Sequence, residues 1–261
     1  MKKIILIGGC VIVVGLLALV LILMLSLNSL VKKGVETVGP QITKTTMTLD
    51  EANISVLSGA GALKGFLIGN PEGYKTPSAI KVGEASLGVR PMSVLSDKIH
   101  ITHVRVQGAE ISFEGSSVSK NNLNKIMENV EAATGGPATG TDQPKSGPAA
   151  AKKLQVDDFL ISGAKVNVTL TALGGRTLTL SIPDIHFTNL GAGPEGITAG
   201  ELTKIVLKSI NTETFKAVEK SVTDFSKQAV DAISEMSKGG TNSLEKAAQG
   251  LKSVGDLFKK K

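Results

Sequence analysis

The chain has little of what disulfide-linked, metal-dependent or nucleic-acid-binding proteins depend on. It has one cysteine, Cys10, which excludes an intramolecular disulfide and a multi-cysteine zinc site. It has one tyrosine and no tryptophan, and arginine occurs only at Arg90, Arg105 and Arg176, although the net charge is +6. Nucleic-acid recognition relies on arginine and on stacking aromatic side chains. We therefore expect no nucleic-acid partner, and we attribute the many lysines to solubility or to an anionic bilayer surface.

Motifs of catalysis are also missing. The chain contains no phosphate-binding loop, no dinucleotide fingerprint and no nucleophile elbow. His100 and His103 would share a face of a helix, but they fall on opposite faces of a regular strand, so only a bulge could bring them together with His186 around a metal. The adjacent carboxylates of Asp157 and Asp158 diverge for the same reason. We expect no metal, no cofactor and no enzymatic activity.

Charge is absent from the start of the chain. Ile4 to Val31 is an uncharged run of 28 residues, whereas a helix needs only about 20 residues to cross a bilayer. A cleaved signal peptide usually has an apolar core of about 7 to 15 residues that ends at a small-residue site. A lipoprotein site at Ile7 to Cys10 would have too short an apolar segment before it. We predict an uncleaved transmembrane anchor at residues 1–31, and flanking lysines on both sides leave its orientation nearly undecided.

An internal repeat follows. Lys98 to Phe113 (KIHITHVRVQGAEISF) aligns without a gap on Lys153 to Val168 (KLQVDDFLISGAKVNV), at an offset of 55 residues. The alternation of apolar residues slips twice in each copy. Each slip requires a bulge or a turn if one face is to stay buried. The repeat therefore predicts a strongly bent, mostly antiparallel β sheet, with slips at Thr102-His103 and Asp157-Asp158 and again at Gly108 and Gly163.

The flanking segments have other patterns. Asn70 to Gly73 predicts a turn, and Leu30 to Ile42 has helical spacing with an interruption expected near Pro40. Residues 132–152 contain no large apolar side chain, which predicts a flexible linker. A strand with Leu178 and Leu180 follows it.

Helical periodicity returns after residue 190. Thr198 and Glu201 have the spacing of a capping box, and apolar stripes run from Phe215 to Met236 and from Leu244 to Phe258. The fold class expected is a membrane-anchored α+β protein, divided into an anchor (1–31), two β regions (32–131 and 153–190) around the linker, and C-terminal amphipathic helices (191–261).

The order of these features resembles the AsmA family of bacterial envelope proteins. The likeness lies in the anchor, in GNPEGY at Gly69 to Tyr74, in ASLGVRPMSVL at Ala85 to Leu95, in the first repeat copy followed by Asn122-Leu123, and in IPDIHF at Ile182 to Phe187. The resemblance implies an inner-membrane anchor, a periplasmic main domain and a groove-like β sheet shared with TamB-like and chorein-like lipid-transfer proteins. It implies a role in phospholipid transport or outer-membrane assembly, although the β region is too short to bridge a periplasm alone.

The apolar face of such a sheet must be covered by helices, by another chain or by lipid. The sequence leaves these alternatives open, and the stripe from Phe215 to Met236 could supply a covering helix. We predict that lipid acyl chains bind along the alternating apolar positions of the repeat and of the strand after it. The alternative is a structural or assembly factor that binds a protein partner, or a second copy, through the C-terminal helices. The predicted lipid-binding residues are Ile111, Phe113, Val166, Val168, Leu178 and Leu180.

Overall fold

A computed structural model of the protein describes residues 27–55, 57–116, 120–134, 152–170 and 177–237. These residues form an α+β fold with one ten-stranded mixed sheet and three α-helices. The helices are α1 (27–43), α2 (Asn122–Thr134) and α3 (Ala199–Ser237), and a 3₁₀ helix spans Pro91–Leu95. The strands are β1 (Met47–Thr48), β2 (Glu51–Ile54), β3 (Ala60–Ile68), β4 (Ile80–Val89), β5 (Lys98–Gln107), β6 (Glu110–Gly115), β7 (Lys153–Ser162), β8 (Lys165–Leu170), β9 (Thr177–Ser181) and β10 (Ile185–Leu190).

Several consecutive strands are two halves of one longer, kinked strand. β1 and β2 both pair with β3 in one antiparallel register, and β5 and β6 both pair with β4. β9 and β10 pair in one register with β8 and β7. The sheet therefore consists of six long rows, in the order β1–β2, β3, β4, β5–β6, β7–β8 and β9–β10.

The two repeat copies pair with each other. β5 lies parallel to β7 and β6 lies parallel to β8, and every paired residue faces its counterpart in the other copy, from Lys98 opposite Lys153 to Phe113 opposite Val168. Every other pairing in the described sheet is antiparallel. The sheet is thus mostly antiparallel, as predicted, and its parallel pairs are those that join the repeat copies.

A crease crosses all six rows at the second predicted slip. Gly108 and Gly163 take φ values of +63° and +61° between the paired half-strands, a region that L side chains rarely occupy. The strand registers on either side place Gly83 of β4 opposite Gly108, and Gly65 of β3 opposite Gly83, so both glycines lie on the same line. Pro183, between β9 and β10, lies opposite Gly163 in the last row. The second predicted slip is confirmed, and the residues at this position form a single line across the sheet.

The first predicted slip is also confirmed. β4 pairs Gly88 with His103 but Val89 with Ile101, which leaves Thr102 as an extra residue. The β5–β7 ladder is interrupted at the same point in both copies. In the last row, Asn189 has a φ of +55° near this line. A bulge of this kind keeps the apolar positions on both sides of it on one face.

Most of the main core lies on one side of the crease, beneath α2 and α3. Ile111, Phe113 and Val166 are fully buried there, together with Ile126 of α2 and Val218 of α3. The core extends across the crease to Ala85, Ile161 and Ile185. α2 packs on β6, and α3 packs on α2, β9 and β10. The helices therefore cover mainly the β6–β8–β9 half of the sheet.

α1 lies along the edge of the sheet formed by β1 and β2. The backbone N–H of Ile54 donates to Asn28 Oδ1 at 2.8 Å, and Lys32 Nζ donates to the carbonyl oxygen of Asp50 at 3.2 Å. The N–H of Leu49 donates to Glu36 Oε1. These side chains satisfy backbone groups that an edge strand would otherwise leave unpaired.

The structure tests two local predictions, the helix interruption at Pro40 and the turn at Asn70 to Gly73. The expected interruption at Pro40 is wrong, because α1 continues to residue 43, where the N–H of Lys44 donates to the Pro40 carbonyl. The turn at Asn70 to Gly73 is confirmed by a φ of +93° at Gly73 and a hydrogen bond from Tyr74 to Pro71.

The capping box at the start of α3 is confirmed. The Glu201 N–H donates to Thr198 Oγ1 at 3.0 Å, and the Thr198 N–H donates to Glu201 Oε2 at 2.7 Å. These bonds hold the pKa of Glu201 below its usual value. The predicted linker was placed slightly too early, because α2 includes residues 132–134; residues 135–151 lie outside the described part of the chain.

The predicted anchor lies outside the described residues as far as residue 26. Among the helices of the described ranges, none has both the length and the apolar character needed to cross a membrane. The second C-terminal stripe, Leu244 to Phe258, also falls outside those ranges.

Candidate functional site

Three columns of apolar side chains cross the half of the sheet that carries β5, β7 and β10. Strand register defines each column, because directly paired residues project from the same face. The columns alternate with polar positions on the other face. From the 3₁₀-helix end toward the crease, they are Val89, Ile101, Val156 and Leu190; Leu87, Val104, Phe159 and Phe187; and Leu63, Ala85, Val106, Ile161 and Ile185.

The two columns nearer to the 3₁₀ helix are less covered than the core, whereas Ala85, Ile161 and Ile185 of the third column are buried members of that core. Ile101, Val104 and Phe159 are only half-buried. Val156 is fully buried but is not a member of the main core cluster. The Phe159 and Phe187 rings meet edge to face, with centroids 6.2 Å apart, which gives the columns a rigid aromatic centre. An extended apolar face of this kind is a surface that lipid chains could complete.

The six predicted lipid-binding residues form one patch, but most of it is covered. Register places Ile111, Val166 and Leu180 side by side, and Phe113 and Val168 beside Leu178. The first four residues of the prediction, Ile111, Phe113, Val166 and Val168, are at most 1% exposed beneath the helices. Leu180 is half-buried, whereas Leu178 at the edge is 44% exposed. Of the alternatives left open by the sequence, helices are what covers this half of the sheet.

The opposite face of β5, β7 and β10 carries a polar cluster. His100 Nε2 lies 2.6 Å from Asp157 Oδ2. Arg105 Nη2 lies 2.5 Å from Asp158 Oδ2, and His186 Nε2 lies 2.7 Å from Asp158 Oδ1. The bulge thus brings the two carboxylates to the same face, where each has its own histidine.

The carboxylates of this cluster are held ionised. A hydrogen bond from Gln155, assisted by His100, lowers the pKa of Asp157. Hydrogen bonds from Arg105 and then His186 lower the pKa of Asp158. Both pKa directions follow from stabilisation of the charged form. Among the described residues, no group of three potential ligands is arranged to hold a metal ion. The cluster is a set of cross-strand hydrogen bonds with an ion pair between Arg105 and Asp158.

Sequence reasoning missed two parts of this site. It did not predict α2, although Leu123, Ile126, Met127 and Val130 have the i, i+3, i+4, i+7 spacing of an amphipathic helix. It also placed the lining beyond the crease and left out Val104 and Phe159. The same alternation was present there, but the position of the covering helices depends on contacts far apart in sequence.

Comparison with known proteins agrees with this architecture. The chain matches the family model described as "AsmA family" over residues 1–180, which is more than half of its length and ends within β9. Neither the comparison with curated proteins nor that with solved structures gives a match. The matched region holds the repeat, the crease, α2 and most of the apolar columns. The chain therefore belongs to the AsmA family, a family of bacterial envelope proteins.

Proposed function

We propose that this protein is a non-enzymatic cell-envelope protein that binds lipid acyl chains on the apolar face of its sheet and assists phospholipid transport or outer-membrane assembly. In this proposal residues 1–31 anchor it in the bacterial inner membrane as a single pass, and the main domain is periplasmic. Membership of the AsmA family supports an envelope role. The proposal involves no cofactor or metal.

The observation that carries the proposal is the partial cover of the apolar columns. Val104, Phe159 and Phe187 are half-buried, and the two phenylalanines pack against the edge of the core, whereas the helices seal the predicted residues across the crease, which are Ile111, Phe113, Val166 and Val168. An acyl chain laid across the columns would remove apolar surface from water, at about 25 cal/mol per Å². In this arrangement bound lipid contacts the apolar columns, and it also contacts Leu180 and Leu178 at the far edge of the sheet. It reaches Ile111, Phe113, Val166 and Val168 only when the helices move.

A matched pair of neighbouring positions tests this proposal. Benzoylphenylalanine at Phe159 places a photo-crosslinker on the apolar face, and at Leu160 it places the same group on the polar face of the same strand. Both side chains are half-buried, so access from outside is similar. The full chain is irradiated in membranes that contain radiolabelled phospholipid, and lipid adducts are measured on the purified protein.

We expect a phospholipid adduct at Phe159 and a much weaker one at Leu160. Equal labelling at both positions would mean that lipid meets the domain without regard to its faces. An absence of adduct at Phe159 would leave the columns as ordinary packing. Either of these two results would refute the lipid-binding proposal.

A second candidate is a structural or assembly factor that binds a protein through its C-terminal helices. α3 extends to Ser237, and among its residues with described side chains Val218 is the last in the core. Glu219, Lys220 and Thr223 are exposed. Phe215 is also 37% exposed. Deletion of residues 241–261 would then abolish capture of the partner or of a second copy while the β domain stays folded; unchanged capture would count against it.

A further inference from the structure

The most exposed large apolar side chains of the described residues lie at one end of the sheet. They are Met92 (78% exposed), Leu57 (77%), Leu95 (72%) and Leu30 (66%). We call these four residues the apolar rim. Monomeric surfaces commonly expose single apolar side chains, but a group at one end of a domain indicates a surface that meets a partner or a bilayer.

Backbone contacts place the rim residues at the same end. Leu57 is in the turn between β2 and β3, whose Gly59 accepts a 2.7 Å hydrogen bond from the Val89 N–H. Met92 and Leu95 are in the 3₁₀ helix that follows Val89 directly. The bond between Ile54 and Asn28 brings the first described turn of α1, with Leu30, to this end.

Basic side chains accompany the rim. Arg90 precedes the 3₁₀ helix, Lys152 Nζ donates to the Val94 carbonyl within it, and Lys98 Nζ donates to the Gly193 carbonyl at 3.2 Å. Lys153 pairs with Lys98 across the first position of the β5–β7 ladder. Asp97 and Glu195 lie close by in sequence, Asp157 lies near Arg90, and Glu201 lies near Lys153. Arg90 and Lys152 are exposed beside the 3₁₀ helix, where they can contact anionic lipid headgroups.

The direction of α1 indicates that a bilayer contacts the apolar rim. The uncharged run from Ile4 to Val31 continues into the described part of α1 and includes Leu30. The chain therefore passes from that run to the domain at the rim end, while α1 leads away from it along β1 and β2. From these observations we infer that the apolar rim docks on an anionic bilayer surface, with Leu57, Met92 and Leu95 in the interfacial region and the lysines and Arg90 at the headgroups.

This inference rests on the proposed membrane anchor. It adds a membrane-docking role for the end of the domain that carries the apolar rim. The column nearest to the rim is Val89, Ile101, Val156 and Leu190. Docking at the rim would bring the apolar columns against the bilayer, so that an acyl chain could pass onto the sheet with little exposure to water. A shallow insertion of a few apolar side chains beside basic residues is a common form of membrane contact.

Site-specific fluorescence on the full chain tests the rim. In a Cys10→Ala background, single variants Leu57→Cys, Met92→Cys and Leu95→Cys are labelled with the environment-sensitive dye NBD. Glu72→Cys, in the exposed turn at the opposite end of the sheet, is the matched control. The proteins are reconstituted into phosphatidylcholine–phosphatidylglycerol vesicles, with and without a lipid that carries a nitroxide near the headgroup.

We expect blue-shifted emission and loss of fluorescence to the nitroxide at the three rim positions, and neither at Glu72. If the protein floats with the vesicles but the rim dyes stay in water, the docking inference is overturned while the anchor stands. If the protein does not float with the vesicles, both are overturned. Crosslinking at Phe159 is read separately, so failure of the rim and failure of lipid binding are distinguishable.

Discussion

Replacement of the crease glycine Gly163 by alanine separates backbone conformation from packing. Gly163 has a φ of +61°, and an added Cβ would meet no atom within 4 Å. Alanine in this region costs about 1 to 2 kcal/mol, and the lower entropy of the unfolded chain offsets about 0.4 to 1 kcal/mol of that. We expect Gly163→Ala to lower the free energy of unfolding by about 1 kcal/mol, and Gly163→Asn to lower it less, because asparagine tolerates this conformation.

Gly83 is the matched control, because it lies on the same crease line and also has open space around its Cβ but has no positive φ. Gly83→Ala should leave stability unchanged or raise it slightly. Urea unfolding of the purified chain, followed by the fluorescence of its one tyrosine, Tyr74, measures these differences. A loss at Gly83 equal to that at Gly163, or an asparagine variant no better than alanine, would refute the backbone explanation.

Three further predictions follow from other parts of the structure. Val168→Glu places a charge at a 1% exposed site and should destabilise the fold by about 3 to 5 kcal/mol. Leu178→Glu, the exposed control, should change stability by less than about 0.5 kcal/mol in the same assay. A tolerated Val168→Glu would mean that the helices do not seal this patch. Thr198→Ala removes the α3 cap and should lower the free energy of unfolding by about 1 kcal/mol; no change would show that this end of α3 frays in solution. Arg105 lowers the pKa of Asp158 in the folded protein. The stabilisation of the fold by the ionised Asp158 is therefore present above the pKa of this group in the unfolded chain, about 4, and is lost as pH falls through its lower folded pKa. Stability measured from pH 5 downward should therefore fall less steeply in Arg105→Gln, and an unchanged slope would contradict this.

The repeat predicted much of the fold because strand pairing depends on local alternation. The slips at Thr102 and Gly108 marked the bulge and the crease, since each change of apolar parity must be absorbed where it occurs. The capping box at Thr198 was equally readable, because its partners are three residues apart. That the two copies pair with each other did not follow from alternation, since a parallel pair needs a long connection whose path the residues alone do not define.

The cover of the sheet was not predictable in the same way. Phe113 and Phe159 both belong to the alternating apolar pattern of the repeat, yet the first is sealed in the core and the second is half-buried. The difference comes from where α2 and α3 pack, which depends on contacts between distant segments. Pro40 shows the opposite error, because a local rule predicted an interruption, and the helix continues to residue 43.

The pairing of the repeat copies has a consequence for the size of the domain. β7 and β8 present to their next neighbour the same kind of edge that β5 and β6 present to them, so a further parallel copy would find an acceptable template. That place is taken by β9 and β10, which run in the opposite direction. Reversal of the last row therefore ends the series of parallel copies within the described sheet, and β9 and β10 form its outer edge.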